Sequence, residues 1–401
     1  MGRKPKLPKE EIKYPKVRER DGLYRYRYSI INPETGKRKQ KETQGFKTAL
    51  EAFQEGLRIE EELKNKTFVE AKNITFSEYA DEYLKTYKAL GNVKNSTVFL
   101  REVSLKQISK YFGGLKLRDI TKLQYQAMLN DFKDKNKSLN TIRILHVAGK
   151  MLFESAVEQE IIKVSPAKTA KLPSFIQTVD QLESGITIPR YLEKNELQRF
   201  LDVVKNNGSK QDYTVFFLLA YTGLRLGELC ALKWKDIDRK NLFISITKTM
   251  YIRYGVENYE LNTPKTKSSI REVDISKKVL SVLDEHASWQ KELIMSKRDK
   301  YYNKGNFIFV NDMFKPGYPM IHEVPQRRIK EFLKIAELPE TLTPHSLRHT
   351  HASLLAEAGV DLEVIQKRLG HKNDQITREI YLHVTKKRKQ EAPLQFEKLM
   401  E

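Results

Sequence analysis

Three of the chain's eight histidines fall within seven positions, in "TPHSLRHTHASLL" (343–355). Such density raises metal ligation first, and the spacing argues against it. Thr343 suits an N-cap and Pro344 the first helical position, so the segment predicts a helix start. On that helix His345 lies in the first turn, and Arg348, three residues on, shares its face, with His349 on the same side. His351 follows His349 by two residues and points roughly 200° further round the helix. The three rings therefore do not converge on one ion, and Ser346 stands where a zinc-protease helix needs a glutamate. A helix start carries free N–H groups and the positive end of the dipole. With His345 and Arg348 beside it, it suits an anion, phosphate above all.

A second basic group sits in "AYTGLRLGELCALKWKDID". Thr222 and Gly223 read as a helix start, with Arg225 in the first turn and Glu228 three residues later. Two readings stay open on spacing alone. The simpler is a surface ion pair, stabilising by only a few tenths of a kcal/mol. The other is a guanidinium aimed at a phosphate and oriented by Glu228. Cys230, in the same run, is the only cysteine. It excludes an internal disulfide, fits a reducing cytoplasm, and reads as a small buried hydrophobe rather than a nucleophile.

The elements that must carry these groups come from a chain of 401 residues with a formal charge of +21. Charge of that sign favours a polyanion, most often nucleic acid. Residues 1–50 alone hold 15 Lys/Arg against six Asp/Glu, so a solvated basic tail is the alternative reading. No run approaches the roughly 18 apolar residues of a membrane span. The N-terminus has no secretory apolar stretch, and Lys6 stands where a myristoylation signal needs Ser or Thr.

The pattern divides the chain at 1–70, 74–165, a linker over 166–189, and 190–401. It is mainly helical with small sheets. In the first part, "GLYRYRYSIINPETGKRKQKETQGF" alternates around a turn. Tyr24, Tyr26 and Tyr28 take one face, Arg25 and Arg27 the other, and Lys37, Lys39 and Lys41 share a face on the return. A helix follows, so a small sheet with one basic face and a helix behind it is expected, a shape that enters a DNA major groove. An ordinary solvated hairpin is the alternative. Residues 74–165 read as helical. Thr75 and Glu78 form a capping box, Leu145, Ala148, Leu152 and Ala156 recur at helical spacing, and Lys94, Ser96 and Thr97 are candidate DNA contacts. The last part is helical with an interruption of about three strands near 241–275.

"AYTGLRLGELCALKWKDI", "TPHSLRHTHASLLAEAGVDLEVIQKRLGHKN" and "TREIYLHV", in this order, resemble the active-site blocks of the tyrosine recombinase (phage integrase) family. The resemblance is to integrases of Gram-positive temperate phages and conjugative transposons, and is most specific over about 190–390. It implies an arm-type DNA-binding domain at 1–70, a helical core-binding domain at 74–165 and a mixed α+β catalytic domain at 190–401. Arg225 and Arg348 would grip the scissile phosphate, with Glu228 as their buttress. Lys265, or Lys267 in the same turn, would protonate the departing 5′ oxygen. His345 and His371 would donate to the phosphate and share acid–base work, and Tyr381 would be the nucleophile. His349 and His351 fall outside that set and read as packing or supporting residues. The resemblance further implies excision and integration of a mobile element without cofactor or metal. The partners it implies are double-stranded DNA at core, arm and target sites, a tetramer of the chain on DNA, an excisionase and a DNA-bending host protein. The place would be the bacterial cytoplasm, at the nucleoid.

Two other classes compete. A non-catalytic DNA-binding regulator finds support in "ASLLAEAGVDLEVIQKRLGH", two helices joined at Gly359 in the manner of a helix-turn-helix. It has no use for Arg225, Lys265, Arg348 and Tyr381 together. A type IB topoisomerase would share the phosphotyrosine but not need two kinds of DNA-reading domain. The final "KKRKQEAPLQFEKLME" reads as a basic stretch and a short helix that docks on a catalytic domain and regulates Tyr381.

Overall fold

The computed structural model describes residues 14–31, 36–65, 73–91, 93–174, 191–264, 267–370 and, beyond these, 375, 377–379, 381–382, 397 and 400. It divides into two units, residues 1–176 and 177–401.

In the first unit, β1 (Val17–Arg20), β2 (Leu23–Ile31) and β3 (Arg38–Glu42) form an antiparallel sheet. Helix α1 (Ala49–Lys64) packs on it, started by a capping box between Thr48 and Glu51. Tyr26 is buried against α1, where Gly56 lets the helix backbone reach the ring. The register departs from a single basic face. Cross-strand partners share a face, and Lys41 pairs with Tyr28 while Lys39 pairs with Ile30. Both lysines therefore lie on the tyrosine face. Arg25 and Arg27 lie on the other, joined by Arg18 opposite Arg25 and by Arg38 in register with Ile31. Alternation within a strand cannot set this, because a register slip of one residue exchanges the faces.

The helices α2 (Phe76–Ala89), α3 (Asn95–Phe112), α4 (Lys122–Asp134) and α5 (Leu139–Glu158) follow. The Thr75–Glu78 capping box opens α2 as expected, and Leu145, Ala148, Leu152 and Ala156 are all buried. Aromatic side chains dominate this core, Phe76, Tyr125 and Phe153 among them. The start of the expected linker instead packs on the bundle. Ala167 is buried, and the backbone of Lys171 makes two bonds to the Gln126 amide, at 2.9 and 3.0 Å. Ser165 and Ala167 are small enough to be covered, which the prolines nearby concealed.

The second unit centres on α7 (Lys210–Thr222), apolar nearly all round and accordingly buried. Around it pack α6 (Lys194–Asn207), α9 (Lys277–Ser296), α10 (Glu323–Ile335) and α11 (Pro344–Glu357). Short α8 (Leu226–Cys230) follows α7, and α12 (Leu362–Leu369) packs on α11. The interruption is larger than three strands. β4 (Ile237–Asp238), β5 (Phe243–Ile246) and β8 (Arg271–Asp274) form one sheet, while β6 (Thr249–Tyr251) and β7 (Glu260–Asn262) form a separate hairpin. Among the described residues no helix is long and apolar enough to cross a membrane.

Candidate active site

Four segments far apart in sequence meet where α7, α11, α12 and β8 come together. The first is the junction of α7 and α8. Thr222 and Gly223 do not start a helix there; they end one. Gly223 caps α7 in the left-handed region (φ 65°), and an added Cβ would lie 2.8 Å from the His351 ring. Arg225 then sits at the N-cap of α8, one position earlier than its expected place in the first turn.

From that position Arg225 reaches Glu228 twice. Its Nη1–H donates to Oε1 at 2.7 Å, and its backbone N–H donates to Oε2 at 3.0 Å. The pair is no surface bridge. Glu228 is 3% exposed, while the Arg225 side chain keeps 34% of its surface open. Burial alone would raise the Glu228 carboxyl; hydrogen bonds and charge from Arg271, with Arg225 behind them, hold it below the ordinary range. Arg271, at the start of β8, was not singled out from the sequence. Its Nη2–H donates to Glu228 Oε2 at 2.9 Å.

The helix start at 343–355 forms as expected, Pro344 first and Ser346 Oγ accepting from the Thr343 N–H at 3.1 Å. Arg348, 2% exposed, enters the interior. Its Nη1–H donates to the Gly223 carbonyl at 2.6 Å and its Nη2–H to the Leu369 carbonyl at 2.5 Å. These are carbonyls at the ends of α7 and α12, where the helix dipoles place negative charge. Those two bonds stabilise the buried guanidinium. It also ties the segment leading to Arg225 to the one leading to position 371.

The histidines separate. His345 is exposed on the first turn of α11, with the His349 ring edge-on to it at 4.7 Å. His351 points inward, its Nδ1 2.8 Å from the Ala220 carbonyl. Its Nε2 accepts from Arg368 Nε–H at 3.0 Å, so the ring is neutral with the proton on Nδ1. Burial, then the Arg368 charge, depresses it to about 3. It packs α11 on α7, in keeping with its supporting role. Among the described residues no three His, Cys, Asp or Glu gather as a metal would need. Cys230 is fully buried, and burial pushes its thiol up, in agreement with a packing role.

Tyr381 is helical, partly buried, and packs on the cluster of Ala352, Ala356, Ile365 and Leu369 between α11 and α12. Lys265 and His371 lie outside the described residues, as does the Lys267 side chain and most of the 386–401 tail. In the first unit, Lys94 caps α3, Ser96 and Thr97 occupy its first turn, and Lys37 is exposed just before β3. Besides Arg271, reading the sequence also missed Arg368. It donates to the Tyr221 and Asp274 carbonyls as well as to His351. Neither arginine carried a local signal, since their side-chain partners Glu228 and His351 lie 43 and 17 residues away.

Comparison with known proteins places this geometry. Residues 190–388 match the phage integrase family, 75–133 its N-terminal SAM-like domain and 16–63 the arm DNA-binding domain. A prophage ps2 probable integrase of Lactococcus lactis is 32% identical, over 83% of this chain and 84% of its own. The Tn1549 transposon integrase, solved with transposon right end DNA, is 26% identical with a TM-score of 0.59, over 77% of this chain and 95% of its own. A lambda integrase tetramer bound to a Holliday junction shares the fold, with a TM-score of 0.54 at 20% identity. The arginine-centred junction of α7, α11, α12 and β8 is thus carried on a chain that belongs to the phage integrase family, the tyrosine recombinases.

Proposed function

We propose that this tyrosine recombinase cuts and rejoins DNA with Tyr381 as nucleophile, to excise and integrate a prophage or conjugative transposon. The phenol oxygen of Tyr381 bonds to phosphorus as the bond to the 5′ oxygen breaks, leaving a 3′-phosphotyrosine. Lys265, or Lys267 beside it, delivers the proton to the departing 5′ oxygen. Arg225 and Arg348 hold the non-bridging oxygens, a task that guanidinium forks perform without deprotonation. His345 and His371 donate to the same phosphate and share proton transfer. Glu228 orients Arg225.

The observation that carries this reading is the Arg348 guanidinium, bonded to the carbonyls of Gly223 and Leu369. It brings the Arg225 segment and the segment entering 371 to one place, as a single phosphate requires. The phosphotyrosine conserves the bond energy, and fixed arginine charge serves the transition state.

The arm-type domain takes residues 1–70, with Arg25 and Arg27 on the face toward DNA, joined there by Arg18 and Arg38, and Lys39 and Lys41 on the opposite face. The core-binding domain runs from 74 through the packed segment near 172, with Lys94, Ser96 and Thr97 at its contact, and the catalytic domain takes 190–401. The working form is a tetramer on core and arm sites, assisted by an excisionase and a DNA-bending host protein, in the bacterial cytoplasm. The test is a nicked duplex carrying the element end, incubated with the protein and run on a denaturing gel. A covalent adduct that survives EDTA and vanishes in Tyr381→Phe is the expected result. No adduct on any cognate end overturns the reading.

A further inference from the structure

We infer that Arg271 is a positioning residue for DNA cleavage, holding Glu228 so that the Arg225 guanidinium stays turned outward. This rests on the reading above that Arg225 grips the scissile phosphate.

The Glu228 carboxylate is shared evenly between two arginines. Oε1 accepts from Arg225 Nη1 at 2.7 Å and from Arg271 Nη1 at 3.2 Å. Oε2 accepts from the Arg225 backbone at 3.0 Å and from Arg271 Nη2 at 2.9 Å. The two guanidiniums differ in where they face. The Arg271 side chain is 5% exposed, against 34% for Arg225, so of this pair Arg225 is the one that faces outward. Two more Arg271 donors are fixed, Nε–H on the Arg368 carbonyl at 2.7 Å and Nη1–H on the Ser269 carbonyl at 3.1 Å.

Those acceptors matter by their neighbours. Arg368 immediately precedes Leu369, whose carbonyl takes Arg348. Two arginines from different elements therefore hold successive carbonyls at the end of α12, just before position 371. Ser269 ends the turn that includes Lys267. Gly370, at φ 72°, leaves room for this, since a Cβ there would stand 3.1 Å from Arg271 Cδ. One side chain thus ties together the supports of Arg225, of the lysine turn and of the α12 end.

A buried ion pair is a poor source of net stability, because desolvating both charges offsets their attraction. Its usefulness here is competitive. Glu228 is buried and must be neutralised. Without Arg271 that demand falls on Arg225 alone, which turns its Nη groups inward and leaves the phosphate. A shift of about 1 Å at such a group costs about a hundredfold in rate.

The test uses the full chain at saturating concentration on the nicked element-end duplex, following a single turnover of adduct formation. Arg271→Lys keeps the charge and loses the fork. We expect its cleavage rate to fall by about a hundredfold. Its apparent Kd for the duplex should stay within about threefold, since Arg271 faces the interior. Adding Arg271→Met to Glu228→Gln should slow cleavage no further than Glu228→Gln alone, because the buried charge that needed a partner is gone. Cleavage by Arg271→Lys within about threefold of wild type overturns the inference, as does a double variant whose losses multiply. So does a rate that falls only with the folded fraction, read by tryptophan fluorescence. Should Arg271→Met fail to fold, the Lys variant decides. A wild-type chain that forms no Tyr381-dependent adduct sinks the underlying reading instead, so the two failures are distinct.

Discussion

The His351 ring makes the catalytic unit sensitive to mild acid, by an amount that follows from its hydrogen bonds. Nε2 accepts from Arg368 and Nδ1–H donates to Ala220, so a second proton would set an N–H against the Arg368 guanidinium. Burial and that charge lower the ring from 6.5 to about 3. The native state therefore binds fewer protons than the unfolded chain below pH ~6.5, and stability is present above that value and lost as pH falls toward ~3. The full span, ~3.5 pH units at ~1.36 kcal/mol each, bounds the effect at about 5 kcal/mol; between pH 7 and pH 5 it amounts to about 2 kcal/mol.

His286, buried on the Ile308 carbonyl and lowered to about 4, adds a term of the same sign. Wild type must therefore be compared with a variant that keeps everything but His351. His351→Asn retains an N–H for Ala220 and does not titrate. Urea unfolding of the full chain can be followed by tryptophan, because Trp234 and Trp289, the only two, both lie in the second unit. We expect wild type to lose about 2 kcal/mol more than His351→Asn on going from pH 7 to pH 5. Parallel losses, within about 0.5 kcal/mol, would refute the assigned tautomer and the argument built on it.

Three further outcomes follow from the same packing. Gly223→Ala forces a left-handed backbone on alanine and drives its Cβ to 2.6 Å from Leu369. It should cost about 2–5 kcal/mol by the same tryptophan assay, and a loss under ~0.5 would contradict it. Gly56→Ala sets a methyl into the Tyr26 ring. The β1 and β2 amides should then exchange at least ~10-fold faster with solvent, while those of α2–α5 do not change. Arg225→Lys should slow adduct formation about a hundredfold, and near-normal cleavage would remove Arg225 from the phosphate.

Local rules made much of this protein legible in one dimension. The Thr75–Glu78 box, the Leu145–Ala156 stripe and the Thr343–Pro344 start are statements about neighbours within a turn, and each forms. The spacing of His345, His349 and His351 already separated the third ring from the first two, since helical geometry fixes it.

What spacing could not supply is burial and long-range pairing. The Arg225–Glu228 pair looked like a surface bridge because its third member, Arg271, lies 43 residues beyond Glu228. Arg348 finds its acceptors 125 residues before it and 21 after. The faces of Lys39 and Lys41 depended on a register that alternation leaves free. Side-chain type and local period fix which helices and strands form. Whether a charge then faces water or another charge depends on how those elements pack, and in this chain packing turned an apparent surface pair into a three-residue cluster around a buried carboxylate.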